Sequence, residues 1–119
     1  WLKMPKIMVM HENPDTRLSI KTLLEKNLYD VIEVESFEDF LKKIEGEKPD
    51  LILQNGLMPR NKILEIIQNK GLKVVFFIAD DVDQKELSLY KNVIGFIDEP
   101  REIEKFLKEI DRFLKKSKN

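Results

Sequence analysis

A three-layer α/β/α sandwich around a parallel sheet is the fold class this sequence predicts, and three observations carry that expectation. Five short apolar runs rich in branched residues alternate with segments of helical spacing. Two of the runs, Ile7-Met8-Val9-Met10 and Val74-Val75-Phe76-Phe77-Ile78, are continuously apolar, as central parallel strands covered on both faces are. The connections are short, and right-handed crossovers between parallel strands then place helices on both faces of one sheet. The 119 residues suit a single domain, expected over residues 4–116 with 1–3 and 117–119 flanking it.

Each element follows from local signals. The first strand is expected from Lys6 to Met10. Asn13 is then a candidate N-cap, with Pro14 at the favoured first position and Asp15 in the first turn, before a stripe of Ile20, Leu23, Leu24 and Leu28. The second strand, Val31 to Val34, alternates in polarity and suits a sheet edge. Ser36, with Asp39 three residues on, opens a helix whose stripe is Phe37, Phe40, Leu41 and Ile44. Leu51 to Leu53 forms the third strand, followed by a helix carrying Ile63, Ile66 and Ile67 that stops near Gly71. After a fourth strand from Lys73 to Ile78, the segment Gln84 to Tyr90 has the weakest apolar stripe, which predicts a helix with an exposed, available face. The fifth strand, Ile94 to Ile97, is again an edge candidate. The last helix places Ile103, Phe106, Leu107, Ile110, Phe113 and Leu114 on one side and Glu104, Lys105, Lys108 and Asp111 away from it. Its basic tail, Lys115 to Lys118, reads as a solvated helix end whose cations suit the C-terminal dipole.

Composition mainly excludes. No cysteine is present, so disulfides and zinc-thiolate sites are ruled out. With 21 basic and 22 acidic side chains the formal net charge is −1, which speaks against a nucleic-acid footprint or strong attraction to an anionic membrane. No apolar run reaches the roughly 18 residues of a membrane span, and Trp1-Leu2-Lys3-Met4-Pro5 is not a secretory signal, so the cytoplasm is the expected compartment. A start at Trp1 is what a piece of a longer protein would show. In a parallel α/β sheet the functional site is expected at the carboxyl ends of the strands, here the loops after Met10, Leu53 and Ile78 together with the end of the fifth strand near Glu99.

The residues around those loops form a recognisable series. It runs Lys6-Ile-Met-Val-Met-His11-Glu12-Asn13-Pro14-Asp15, Pro49-Asp-Leu-Ile-Leu-Gln-Asn55-Gly-Leu-Met-Pro59, Val74-Val-Phe-Phe-Ile78-Ala79 and Gly95-Phe96-Ile-Asp-Glu99-Pro100. The series resembles the receiver domain of bacterial response regulators, the CheY-like fold, over residues 4 to 116. The resemblance implies a five-stranded sheet in the order 2-1-3-4-5.

It also implies a set of altered functional positions. The family's acidic pair after the first strand corresponds to His11 and Glu12, and its phosphoacceptor aspartate to Asn55. Its hydroxyl residue after the fourth strand corresponds to Ile78, its lysine before a cis-proline to Glu99, and its switch aromatic to Phe96. Only Glu12 keeps the chemical character of the family. A neutral Asn55 amide cannot attack a phosphoryl donor. Two of three metal-binding carboxylates are gone, which leaves poor magnesium affinity. Glu99 replaces an attractive ammonium by a repulsive carboxylate, and a unit-charge contact near 4 Å is worth about 4 kcal/mol at an effective dielectric of 20. Ile78 lacks the hydroxyl that would couple a phosphoryl group to Phe96.

The implied function is therefore a phosphorylation-independent pseudo-receiver without catalytic residues, metal or cofactor. Its work would be to bind a protein partner or a second copy through the fourth helix, fifth strand and fifth helix, with Tyr90, Phe96, Glu104 and Lys108 as candidate contacts and the Leu87/Leu89 pair nearby. No direct nucleic-acid or membrane contact is expected of it. The alternative is an atypical receiver that still accepts a phosphoryl group from a histidine kinase, for example on Asp50, Asp80 or Asp98; a flavodoxin-like cofactor binder is disfavoured because His11-Glu12-Asn13-Pro14 offers no phosphate cradle. His11, the one histidine, is expected to pair with Glu12 or Glu99 in preference to acting as a base, sensor or ligand. A Glu12, Asn55, Glu99 oxygen cluster is a conceivable cation site, but neighbouring glutamates more often settle through a shifted pKa or a salt bridge. Asn55-Gly56 is a turn signal and also a dipeptide prone to deamidation.

Overall fold

The computed structural model describes residues 3–117, and its elements alternate throughout. In chain order they are β1 (Lys6–His11), α1 (Pro14–Lys26), β2 (Asp30–Val34), α2 (Phe37–Gly46), β3 (Leu51–Asn55), α3 (Arg60–Asn69), β4 (Val74–Phe77), α4 (Gln84–Leu87), β5 (Val93–Ile97) and α5 (Ile103–Lys115). The strands form one parallel sheet in the order β2-β1-β3-β4-β5, so the two alternating runs are the edges and the apolar ones lie inside.

Strand alternation divides the core into two. Met8, Met10, Ile52, Val74 and Phe76 pack with Phe40 and Ile44 of α2, Ile63, Leu64 and Ile67 of α3 and Leu87 of α4. Ile7, Val9, Leu51, Leu53, Val75 and Phe77 face the other way, onto Ile20 and Leu24 of α1 and Phe106, Ile110 and Phe113 of α5. Burying each such side chain is worth about 1.5–3 kcal/mol, so both faces of the sheet are held by comparable apolar layers. Among the described residues no helix is long and apolar enough to cross a membrane.

The N-caps stand where local chemistry puts them. Asn13 Oδ1 accepts from the backbone N–H groups of Asp15 and Thr16, both at 3.0 Å, and Ser36 Oγ accepts from Asp39 N–H at 3.0 Å. Helix ends and stripe margins depart from expectation. Leu28 is not part of the α1 stripe: it sits at φ 67°, exposed, because the chain reverses there and Tyr29 N–H closes back onto Leu24 O at 3.1 Å. Leu41 and Ile103 lie at the margins of their helical faces and are also exposed. The fourth helix is four residues long instead of running to Tyr90; beyond Leu87 the chain tightens into turns, and buried Asn92 donates to Leu72 O at 2.7 Å, pulling it back to the sheet. Strands β1 and β3 extend to His11 and Asn55, whereas β4 stops at Phe77. Lys118 of the basic tail, and Trp1 with Leu2, lie outside the described residues.

Candidate functional site

Parallel register brings the site together. His11 and Asn55 are direct neighbours at the carboxyl ends of β1 and β3, and Glu12 N–H donates to Asn55 O at 3.2 Å just beyond. His11 shares the strand face of Ile7 and Val9, Asn55 that of Leu51 and Leu53, so both belong to the α1/α5 side of the sheet. The loop from β5 to α5 supplies Glu99 on that side.

His11 is 4% exposed, and each of its ring nitrogens has a partner. Nε2 lies 2.8 Å from Glu99 Oε1, while the backbone N–H of Asn13 donates to Nδ1 at 3.1 Å. Because Nδ1 accepts, the ring proton of the neutral imidazole sits on Nε2 and is donated to the glutamate. The edge of Phe77 closes the ring's remaining surface, with centroids 5.6 Å apart. Asn55 Nδ2 approaches the same Glu99 oxygen at 3.4 Å, so one carboxylate oxygen faces two donors. The centre of the site is thus filled by a hydrogen-bonded set made within the chain. Of the two partners expected for His11, Glu99 is the one it takes.

Glu12 points elsewhere. Its side chain lies over Gly56, where a Cβ would fall 2.7 Å from Glu12 Oε2; the backbone there has φ +71°, and that left-handed conformation is what favours glycine. Among the described residues no group of three histidine, cysteine or acidic side chains is arranged to hold a metal ion. The cis peptide bond is Met58–Pro59, in the loop after Asn55, and not the bond before Pro100 that the family resemblance implied.

Ile78 is 43% exposed; its backbone N–H donates to Ile97 O at 2.9 Å, and its side chain offers no polar group. With Phe96, Glu99, Lys105, Phe106 and Arg112 it lines a cleft of about 470 Å³ between the end of the sheet and α5. Phe96 and Tyr90 are half-buried and pack against the α2/α3/α4 core. Glu104 and Lys108 are exposed on α5, and neither makes an ion pair among the described residues. Of the carboxylates considered as substitute acceptors, Asp50 is at the opposite end of the sheet, accepting from Lys6 N–H at 2.7 Å, while Asp80 and Asp98 are exposed.

One important residue went unnoticed in the sequence. Arg17 is buried on the apolar stripe of α1, in line with Ile20 and Leu24. Its guanidinium donates to His11 O at 2.7 Å and faces Glu33 of β2 at 3.5 Å and Glu35, just past that strand, at 3.9 Å. An arginine three residues before the first stripe position was the available signal, and it is legible only when the stripe is extended backward.

No family model matches the chain. A sequence relative is the alkaline phosphatase synthesis transcriptional regulatory protein PhoP of Bacillus subtilis, 35% identical over 90% of this chain and 48% of that protein; the chain thus spans about half its relative's length. Among solved structures, a response regulator from Thermotoga maritima superposes with a TM-score of 0.77 at 21% identity, covering 96% of this chain and all of that one (100%). A CheY-like receiver domain protein from Methanospirillum hungatei gives 0.75 at 19% identity, over 92% and 94% of the two chains. The response regulator TrrA of Thermotoga maritima, in complex with Mg²⁺-BeF, gives 0.76 at 20% identity, over 92% and 99%. Strand order and the loops that meet at the sheet's carboxyl end give this chain the CheY-like fold, and the relationship to PhoP makes it similar to the receiver domains of response regulators.

Proposed function

We propose that this receiver domain works without phosphorylation, as a cytoplasmic protein-interaction module of a response regulator or transcription regulator. The observation that carries the reading is the His11–Glu99 hydrogen bond at 2.8 Å. In the family's chemistry this is the region where a metal and a phosphoryl group are handled; here a buried imidazole and a carboxylate satisfy one another instead. The residue types agree with that. Asn55 supplies no nucleophile, Ile78 no hydroxyl, and a carboxylate at Glu99 opposes a phosphoryl dianion.

The partner, whether another protein or a second copy, is proposed to dock on α4, β5 and α5. Glu104 and Lys108 offer unpaired charges of both signs one helical turn apart, and the half-buried Phe96 and Tyr90 supply apolar surface beside them. A surface held in one state by a closed site needs no phosphoryl signal to bind.

Incubation with a small phosphodonor and Mg²⁺, followed by intact mass, tests the reading. No addition of about 80 Da is expected. An acid-stable, base-labile addition of about 80 Da on any aspartate would establish the alternative, an atypical receiver that still accepts a phosphoryl group.

A further inference from the structure

We infer that Asn55–Gly56 is a self-modification site, at which the chain converts its own Asn55 amide into a carboxylate. Three features converge there. Gly56 offers no side chain to hinder ring closure, and among the described residues its backbone N–H donates to no protein acceptor. Asn55 is partly exposed, so water reaches the pair. The Glu12 carboxylate lies against Gly56, its Oε2 2.7 Å from where a Cβ on that residue would stand, which puts a base in the same loop. In an Asn-Gly pair the covalent chain itself puts the following nitrogen within reach of the side-chain carbonyl carbon, and a carboxylate in the same loop supplies a base for the intramolecular attack.

The step balances with water as its sole co-reactant. The Gly56 nitrogen bonds to Asn55 Cγ and gives up its proton to Glu12, which returns it to Nδ2 as the Cγ–Nδ2 bond breaks. Nδ2 leaves as ammonia. Water then opens the cyclic imide to leave aspartate or isoaspartate at position 55. The consequence is local and electrostatic. Asn55 Nδ2 now faces Glu99 Oε1 at 3.4 Å as a donor, whereas a carboxylate there faces Glu99 as a like charge. The conversion thus opposes the set that closes the site, in one direction and on the timescale of protein age. It does not depend on the interaction role proposed above, because the chemistry needs only this loop.

The test is peptide mapping of the full chain aged at mildly alkaline pH. The expected result is a gain of about 1 Da confined to the peptide carrying Asn55, with both aspartate and isoaspartate products. The gain should be absent in Asn55→Gln and several-fold slower in Glu12→Gln. No gain over an interval in which a synthetic peptide of residues 50–61 is fully converted would overturn the inference. An unchanged rate in Glu12→Gln would overturn the part assigned to Glu12. Absence of phosphodonor labelling in fresh protein bears on the previous proposal alone, so the two fail separately.

Discussion

The Nε2–H of buried His11 is donated to Oε1 of half-exposed Glu99 across 2.8 Å, joining the end of β1 to the loop after β5, 88 residues apart in the chain. The direction of that bond is set by a second one, since Asn13 N–H already occupies Nδ1 at 3.1 Å. Two neutral-ring contacts therefore orient the imidazole, and the carboxylate at its far end is the replaceable partner.

That relationship predicts a graded response at Glu99. Glu99→Leu strands a buried N–H and should cost about 1–3 kcal/mol, whereas Glu99→Gln keeps an acceptor and should cost less than about 1 kcal/mol. Urea unfolding of the two variants measures the difference. Equal losses would show that the carboxylate acts through its charge and not as a hydrogen-bond acceptor.

Gly95 tests the spacing between β5 and α5. A Cβ there would fall 2.8 Å from Phe113 Cζ, and Phe113 is itself buried beneath the strand. Gly95→Ala should therefore destabilise by about 1–3 kcal/mol through overpacking. Combining it with Phe113→Leu should recover part of the loss, read as a non-additive double-mutant cycle in thermal or urea unfolding.

Lys73 anchors the end of α5. Its ammonium donates to the carbonyls of Phe113, Leu114 and Lys116 at 2.9, 2.8 and 3.0 Å, satisfying acceptors that a helix C-terminus otherwise leaves to water. Lys73→Met keeps the aliphatic stem and removes the donor. Hydrogen exchange should then accelerate at the amides of residues 114–116 while β1 and β3 remain protected.

The start of α2 gives a pH dependence. Burial pushes the Asp39 carboxyl up, but hydrogen bonds from Lys43 and from Glu35 N–H, at 3.0 and 3.1 Å, outweigh it and hold the group below its ordinary value. A depressed folded-state pKa contributes stability above the unfolded value and loses it as the pH falls through the folded one. Asp39→Asn should accordingly lower stability at neutral pH and flatten the decline below about pH 4, in a comparison of urea midpoints across that range.

The sequence by itself determined the element order, the N-caps at Asn13 and Ser36 and which strands lie at the edges. These rest on short-range periodicity and capping, which a helix or strand expresses wherever it sits. It also showed which chemical groups stand at the altered positions, because a residue's identity fixes whether it can be a nucleophile or a donor. Only the tertiary structure decided that His11 takes Glu99 instead of Glu12, since that choice depends on the direction of a loop 88 residues away and on an imidazole proton placed by Asn13. The same holds for Arg17 beneath His11 and for the reversal at Leu28 that removes it from its stripe. The length of α4 was decided there too, where a weak stripe yields to Asn92 anchoring the chain to Leu72. In each case a partner distant in sequence competes with a local preference, and burial makes its hydrogen bond worth more than one more turn or one more apolar position.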